Sequence, residues 1–367
     1  MKYNDIRRKT RKIKVGNVYI GGDAPIAIQS MTNTDSHDAS ATLKQIKQLQ
    51  VAGCNIARLA VPDIESAETI RLIKESGIDI PIVADIHFDY RIALKCVEYG
   101  VDKIRINPGN IGSNDRVKAV CDACKKKNIP IRIGVNSGSL EKKILSKHGA
   151  PTPEALFESA MYHLSLLKKI DFHDVAISIK SSGVNEMIRA NRLVANACDV
   201  PLHLGVTEAG TEKFGVIKSA AGLGSLICDG IGDTIRVSLT DDPVNEIKAA
   251  KNILKALEIE GQCGINTVSC PTCGRTNIDL ISIVKKFEDA IEAEGLNDIP
   301  ITVAIMGCIV NGPGEAAEAE IGVAGGIGEA VLFKKGTIIK KIPENEIVST
   351  LINEIKAYKN AIQTESV

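Results

Sequence analysis

The chain is 367 residues long, 44% hydrophobic, and carries 45 basic side chains against 45 acidic ones. That length and apolar content allow two or three domains with substantial cores, and the balanced charge gives no sign of a polyanion-binding face or an acidic tail. No apolar run reaches the roughly eighteen residues of a membrane span and Met1–Lys9 contains no apolar leader, so a soluble cytoplasmic protein that binds neither membrane nor nucleic acid is expected.

From Ile26 onward a β-branched run recurs, ends in polar residues and leads into a helical pattern. The strands read Ile26–Thr32, Asn55–Val61, Pro81–His87, Lys103–Pro108, Ile131–Asn136, Val175–Ser181, Pro201–Glu208 and Asp233–Leu239. The helices between them read Ser40–Val51, Ile64–Ser76, Tyr90–Tyr99, Asp115–Lys127, Pro153–Lys169, Val184–Cys198, Thr211–Leu223 and Pro243–Leu257. Gly53, Gly77 and Gly100 fall just past helix ends, where a left-handed cap costs least. Strands alternating with helices require right-handed crossovers and a parallel sheet, and eight repeats favour a closed (β/α)8 barrel over an open doubly wound sheet. No Gly-x-Gly-x-x-Gly follows the first strand, which counts against dinucleotide binding. The longest interruption, Ser137–Pro153, is expected to lie over the active face as a lid.

After Leu257 the pattern changes. A polar, Gly-bearing linker at Glu258–Gly264 divides a barrel over residues 1–258 from a second domain over 259–367. That domain reads as a strand into Cys270, a helix Ile278–Glu294, a strand Ile299–Met306, a Gly-rich turn, short strands near Ile321, Val331 and Ile338, and a helix from Glu344. This is a small α+β unit that presents two cysteine turns.

Of the ten cysteines, Cys54, Cys96, Cys198 and Cys228 sit alone in apolar or helical runs and read as small buried hydrophobes. Cys121 and Cys124 lie in a helical pattern with no turn residue and read as one helix face. Ser-Cys270-Pro-Thr-Cys273-Gly is different, because Pro and Gly make a tight turn that points two thiolates at one metal centre. Cys308, in Gly-Cys-Ile-Val-Asn-Gly-Pro-Gly-Glu, supplies a third. The nearest polar candidate for a fourth ligand is Glu315, and Cys263 is a neighbour of the motif and not a ligand. Spacing alone leaves zinc and an iron–sulfur cluster open. The Cys-x-x-x-Cys-x-x-Cys pattern of enzymes that cleave S-adenosylmethionine is absent.

Barrel enzymes place their chemistry at the C-terminal strand ends. Those ends carry Gln29, Ser30, Asn33, Arg58, Asp85, His87, Arg105, Asn107, Arg132, Asn136, Lys180, His203, Thr207, Glu208, Arg236 and Ser238. Strand alternation sets Arg105 and Asn107 on one face of their strand and likewise Arg132, Gly134 and Asn136 on one face of theirs, and in a closed barrel the inward faces converge on the axis. Local carboxylates such as Asp85 or Glu208 could pair with some of the cations, but they are fewer. Crowded cations would repel one another unless a multiply charged anion joined them, and a diphosphate suits both the bidentate Arg fork and the Lys point charge. Gly109–Gly112 and Gly134–Gly138 fit either a phosphate cradle or a simple turn. His37, His148, His163 and His173 read as surface or internally satisfied histidines, and His87 and His203 as better placed for substrate contact.

Five motifs, in order, carry a resemblance: Gln-Ser-Met-Thr-Asn-Thr from Gln29, Arg-Ile-Asn-Pro-Gly-Asn from Arg105, Arg-Ile-Gly-Val-Asn-Ser-Gly-Ser-Leu from Arg132, Gly-Val-Thr-Glu-Ala-Gly from Gly205, and the paired cysteine turns. Through nearly its whole length the chain resembles the 4-hydroxy-3-methylbut-2-enyl diphosphate synthases, iron–sulfur oxidoreductases of the non-mevalonate isoprenoid pathway. The resemblance implies reduction of 2-C-methyl-D-erythritol 2,4-cyclodiphosphate, with two electrons from flavodoxin or ferredoxin. It implies a [4Fe–4S] cluster on Cys270, Cys273, Cys308 and Glu315, with Glu315 releasing one iron so that it takes the substrate oxygen. Arg58, Arg105, Asn107, Arg132, Asn136, Lys180, Arg236 and Ser238 become the expected substrate contacts, and Glu208, by its position, the expected proton donor or hydrogen-bonding group near the leaving oxygen. A chain leaving the last helix of the barrel starts far from the active face, so a head-to-tail homodimer that lends each barrel its partner's cluster is expected, as the resembling family forms. The eighth strand follows the seventh by an ordinary length, which matches the two-domain bacterial form. A zinc-stabilised anion-binding protein and a pterin-type barrel transferase with an added metal domain are the competing readings.

Overall fold

The computed structural model describes residues 3–259, 264–309 and 316–365. The chain divides into two compact units, Met1–Glu260 and Gly261–Val367. Glu315 and Cys263 lie outside the described residues, as does part of the expected linker.

The first unit opens with a short helix, Tyr3–Ile6, followed by an antiparallel hairpin, β1 (Ile13–Val15) and β2 (Val18–Ile20). Eight parallel strands then close into a barrel in chain order. They are β3 (Ala27–Met31), β4 (Ile56–Ala60), β5 (Ile82–Asp85), β6 (Lys103–Ile106), β7 (Ile131–Asn136), β8 (Val175–Lys180), β9 (Leu202–Leu204) and β10 (Thr234–Ile235), with β10 pairing back on β3. Period-two alternation divides each strand between two environments. Ala57, Leu59 and Val61 face outward into the main core shared with the helices, whereas Ile56, Val83, Ala27 and Ala176 join Ile13, Val15 and Ile20 of the hairpin in a separate apolar cluster. The hairpin thus packs against an apolar barrel floor. Its two strands are three residues each, too short to stand out as periodic runs, and no sequence expectation included them.

Short helices also escaped the sequence pattern, Tyr3–Ile6 among them. Pro108–Ile111 forms a short helix capped by Asn107, and Lys142–His148 forms a helix inside the long interruption before Pro153. Strands β9 and β10 are shorter than expected, because beyond Leu204 and Ile235 the ladder gives way to isolated bonds such as Arg236 N to Leu204 O at 2.9 Å. The helix expected to stop at Leu223 continues to Cys228, and this corrects one cysteine assignment. Leu226 and Ile227 take the buried side of that last turn, leaving Cys228 exposed, and Cys198 is half-buried at its helix end; Cys54, Cys96, Cys121 and Cys124 are buried as expected.

In the second unit, β11 (Asn266–Ser269), β12 (Thr302–Met306) and β13 (Ile321–Gly325) run parallel, and β14 (Glu329–Lys334) and β15 (Thr337–Pro343) complete the sheet antiparallel. The helices Leu280–Ala293 and Ile347–Glu365 supply Phe287, Ile283, Leu351 and Ile355 to a core with Val303, Ile305, Val323 and Leu332. A smaller cluster of Ala304, Met306, Ala324 and Phe333 also takes in Cys270. Among the described residues no helix is long and apolar enough to cross a membrane.

Candidate active site

The inward positions of the barrel above its floor are polar or cationic, and the structure brings most of the expected residues into one group. Asp85, at the end of β5, accepts from Arg58 Nη2 at 2.8 Å and from Arg105 Nη1 at 2.9 Å, so one buried carboxylate serves two guanidiniums. Burial alone would raise the Asp85 pKa, but Arg58 and Arg105 outweigh it and hold the carboxyl well below the usual range. His87, half-exposed, lies 3.3 Å from Arg105 Nη1. With its amide oxygen turned inward, Asn136 accepts from Arg105 Nη2 at 3.2 Å. Arg132 reaches Gln29 Oε1 at 3.2 Å, yet its Nε and its other terminal nitrogen have no hydrogen-bond partner among the described residues. Lys180 is opposite Asn136 in the register of β7 and β8, is buried, and has no carboxylate partner among the described residues.

Glycine makes room for two of these cations. A Cβ at Gly134 would collide with the Arg105 guanidinium, and one at Gly205 would lie 3.3 Å from Lys180 Nζ and 2.7 Å from the Arg236 carbonyl oxygen. Gly inside a strand is costly without such a close approach.

Arg236 is fixed from behind. Glu246, buried on the helix Pro243–Ala256, accepts from Arg236 Nε and Nη2 at 3.2 Å each, from Ser30 Oγ at 2.7 Å and from the Leu239 backbone N–H at 3.1 Å. No sequence reading picked out Glu246, since a lone Glu on an amphipathic helix is indistinguishable from a solvated one. Asp85 and Glu246 are the carboxylates among the described residues that meet Arg58, Arg105 and Arg236, while Arg132 and Lys180 are left without one. Burial lowers the Arg58 pKa to about 10 and carries Arg132 and Lys180 well below their ordinary values, with the neighbouring cations pushing the same way.

Several expected residues have different surroundings. Asn107 uses its amide oxygen to cap the next helix, accepting from Gly109 N at 3.0 Å. Ser238 is half-buried just past β10. His203 is not at the mouth: it is fully buried in the wall, with Nδ1 2.8 Å from Thr234 Oγ1, because β9 ends at Leu204 and sets it beside Ser178 and Thr234. Glu208 is exposed past β9 and held at φ 52°, a left-handed conformation rare for a residue other than glycine. The long loop after β7 is tied down: Glu141 accepts from Ser159 Oγ at 3.1 Å and contacts buried His163, and Lys147 and His148 reach Glu158. His37 and His173 are exposed beside aspartates.

In the second unit the cysteine turns meet at the ends of adjacent parallel strands, where Ser269 pairs with Ile305. Gly307 N–H donates to Cys270 Sγ at 3.3 Å, and Asn277 N–H donates to the Gly307 carbonyl at 2.9 Å. A Cβ at Gly307 would come within 2.8 Å of Thr276 Cγ2, so glycine is what lets the two turns approach. The Cys273 thiol is lowered by the Arg275 backbone N–H and side chain, and Cys308 is buried at the end of β12. Among the described residues no three Cys, His, Asp or Glu side chains form a set close enough to hold a metal ion. The donor chemistry nevertheless fits a thiolate-bound cluster: three cysteines on two abutting turns, with backbone N–H groups directed at sulfur.

A family model described as the GcpE TIM-barrel domain matches residues 10–251, and one described as the GcpE protein C-terminal domain matches residues 266–357. The chain belongs to the GcpE family. Relatives of this GcpE chain include proteins called 4-hydroxy-3-methylbut-2-en-1-yl diphosphate synthase (flavodoxin). That of Clostridium perfringens is 59% identical over 95% of this chain and 99% of its own, and that of Geobacter sulfurreducens 53% identical over 96% and 98%. Dihydropteroate synthase of Yersinia pestis aligns with 67% of this chain and 98% of its own at a TM-score of 0.47 and 9% identity, a likeness that carries no argument.

Asp85 gives a direct test. Its folded carboxyl lies below the unfolded value near 4, so the stability it contributes is complete above that pH and is lost as pH falls below it. Asp85→Asn should therefore unfold with about 3 kcal/mol less stability at pH 7, and urea titrations should show the gap from wild type narrowing below about pH 4.

Proposed function

We propose that the cationic barrel interior holds the diphosphate of 2-C-methyl-D-erythritol 2,4-cyclodiphosphate and that the thiols of the second unit serve its reduction. The chain is an oxidoreductase, a 4-hydroxy-3-methylbut-2-enyl diphosphate synthase of the non-mevalonate pathway. The observation that supports this assignment of residues is the excess of buried cations over carboxylates around Arg58, Arg105, Arg132, Lys180 and Arg236. In the reaction the cyclic dianion takes up two electrons and one proton, a carbon–oxygen bond to phosphate opens, one hydroxyl leaves as water, and the diphosphate ends as a trianion. Negative charge on the diphosphate grows along this path. Preorganised guanidiniums and an ammonium therefore favour the late, more anionic states over the bound substrate.

Asn107, Asn136 and Ser238 add neutral hydrogen bonds that orient the substrate, and Asp85 and Glu246 fix the directions of Arg58, Arg105 and Arg236. Glu208, in its left-handed turn past β9, donates the proton that leaves with the hydroxyl. Cys270, Cys273, Cys308 and Glu315 would hold a [4Fe–4S] cluster, which when bound passes electrons from flavodoxin or ferredoxin one at a time. The working form is a cytoplasmic head-to-tail homodimer, in line with an eighth helix that runs back along the barrel from Pro243 to Ala256.

Three outcomes follow. Protein prepared without oxygen should be brown, with about four irons and no zinc per chain, and serine at Cys270, Cys273 or Cys308 should cut both iron content and visible absorbance; a colourless, zinc-loaded protein favours the structural-metal reading. Glu208→Gln should lower kcat by about a hundredfold or more with a smaller change in KM, and full turnover in that variant removes the assigned role. Specific activity should fall on dilution in step with dimer dissociation seen by sedimentation, and a fully active monomer contradicts the shared assembly.

A further inference from the structure

Lys103 has no part in the reading above. It lies on β6 two residues before Arg105, so alternation turns it into the barrel; it is level with the floor residue Val83, while Arg105 is level with Asp85. The side chain is fully buried, and its ammonium nitrogen has no hydrogen-bond partner among the described residues. The charges that act on it are those of Arg132 and Arg58, both cations, and Asp85 is already shared by Arg58 and Arg105. Unpartnered nitrogens also remain on Arg132, His203 and Gln29, so the interior beneath the ring is rich in donors and poor in acceptors.

An unpaired ammonium in such a place is strongly unfavourable, and a methionine would fill the same space without the penalty. In a water-poor interior, however, Coulomb attraction extends beyond contact distance. Arg58 pairs with Val83 from the other side and so shares the level of Lys103, yet its guanidinium extends to Asp85 one pleat higher, the direction in which repulsion between the two cations acts. We propose that Lys103 is a positioning residue for the diphosphate: from one pleat below Arg105 it keeps the barrel interior positive and directs the guanidiniums upward, and the bound anion relieves a destabilisation that the empty enzyme carries. This rests on the assignment of the cationic ring to diphosphate. Burial and the neighbouring cations lower the proton affinity of Lys103 in the empty site, and an anion bound above it acts in the opposite sense.

The test compares full-length wild type with Lys103→Met, using inorganic pyrophosphate as the probe and thermal unfolding, calorimetric titration and steady-state kinetics of the reconstituted enzyme as readouts. Without pyrophosphate, Lys103→Met should melt a few degrees higher than wild type. Its pyrophosphate affinity should be roughly tenfold weaker, and its KM should rise by more than its kcat falls. A variant that melts lower, fails to fold, or binds pyrophosphate as tightly as wild type overturns the proposal while leaving the ring assignment intact. A wild type that does not respond to pyrophosphate overturns both.

Discussion

The first unit is governed by a mismatch of charge. Of Arg58, Lys103, Arg105, Arg132, Lys180 and Arg236, only Arg58, Arg105 and Arg236 meet a carboxylate among the described residues, Asp85 or Glu246. Removing a cation from water costs several kcal/mol unless a counter-charge replaces the lost hydration. Both carboxylates are used to the full: Asp85 binds two guanidiniums, and Glu246 accepts from Arg236, Ser30 and the backbone together. What they leave unbalanced is a net positive interior, with Lys103, Arg132 and Lys180 meeting no carboxylate among the described residues. The (β/α)8 frame can sustain this because the outer core of Leu59, Ile104, Ile133 and their helix partners is continuous and apolar.

Several otherwise unrelated choices of residue follow from the same mismatch. Gly134 weakens its strand, yet a Cβ there would displace the Arg105 guanidinium, and one at Gly205, just past β9, would collide with the Arg236 carbonyl oxygen. The hairpin packs apolar Val15 and Ile20 against the floor, at the end of the barrel opposite the mouth. Where the barrel opens, polar side chains with local tasks take over: Asn107 caps a helix, and Glu141 joins the loop after β7 to His163 and Ser159. That loop contains a helix of its own and is tied at three points to the helix Pro153–Lys169.

The second unit solves a different problem, the close approach of two turns. Parallel pairing of β11 with β12 delivers Cys270 and Cys308 to the same sheet end. The missing Cβ of Gly307 then lets the two turns approach until its own backbone N–H reaches the Cys270 sulfur.

Local chemistry marked out much of this molecule in advance. Alternating β-branched and amphipathic runs revealed the (β/α)8 barrel and the α+β unit, since period and repeat are properties of contiguous residues. The same held for the cationic strand ends and for Cys270, Cys273 and Cys308, whose turns are written in Pro and Gly. Partnership across the fold was not legible. That Asp85 is shared, that Glu246 holds Arg236 from a helix ten residues on, that His203 is walled in and that Cys228 faces solvent all depend on which surfaces meet after closure. Lys103 falls between the two: its inward direction follows from alternation with Arg105, but its lack of a carboxylate partner among the described residues emerges when the barrel closes around it. Spacing sets where along an element a side chain lies, and only packing sets what it meets.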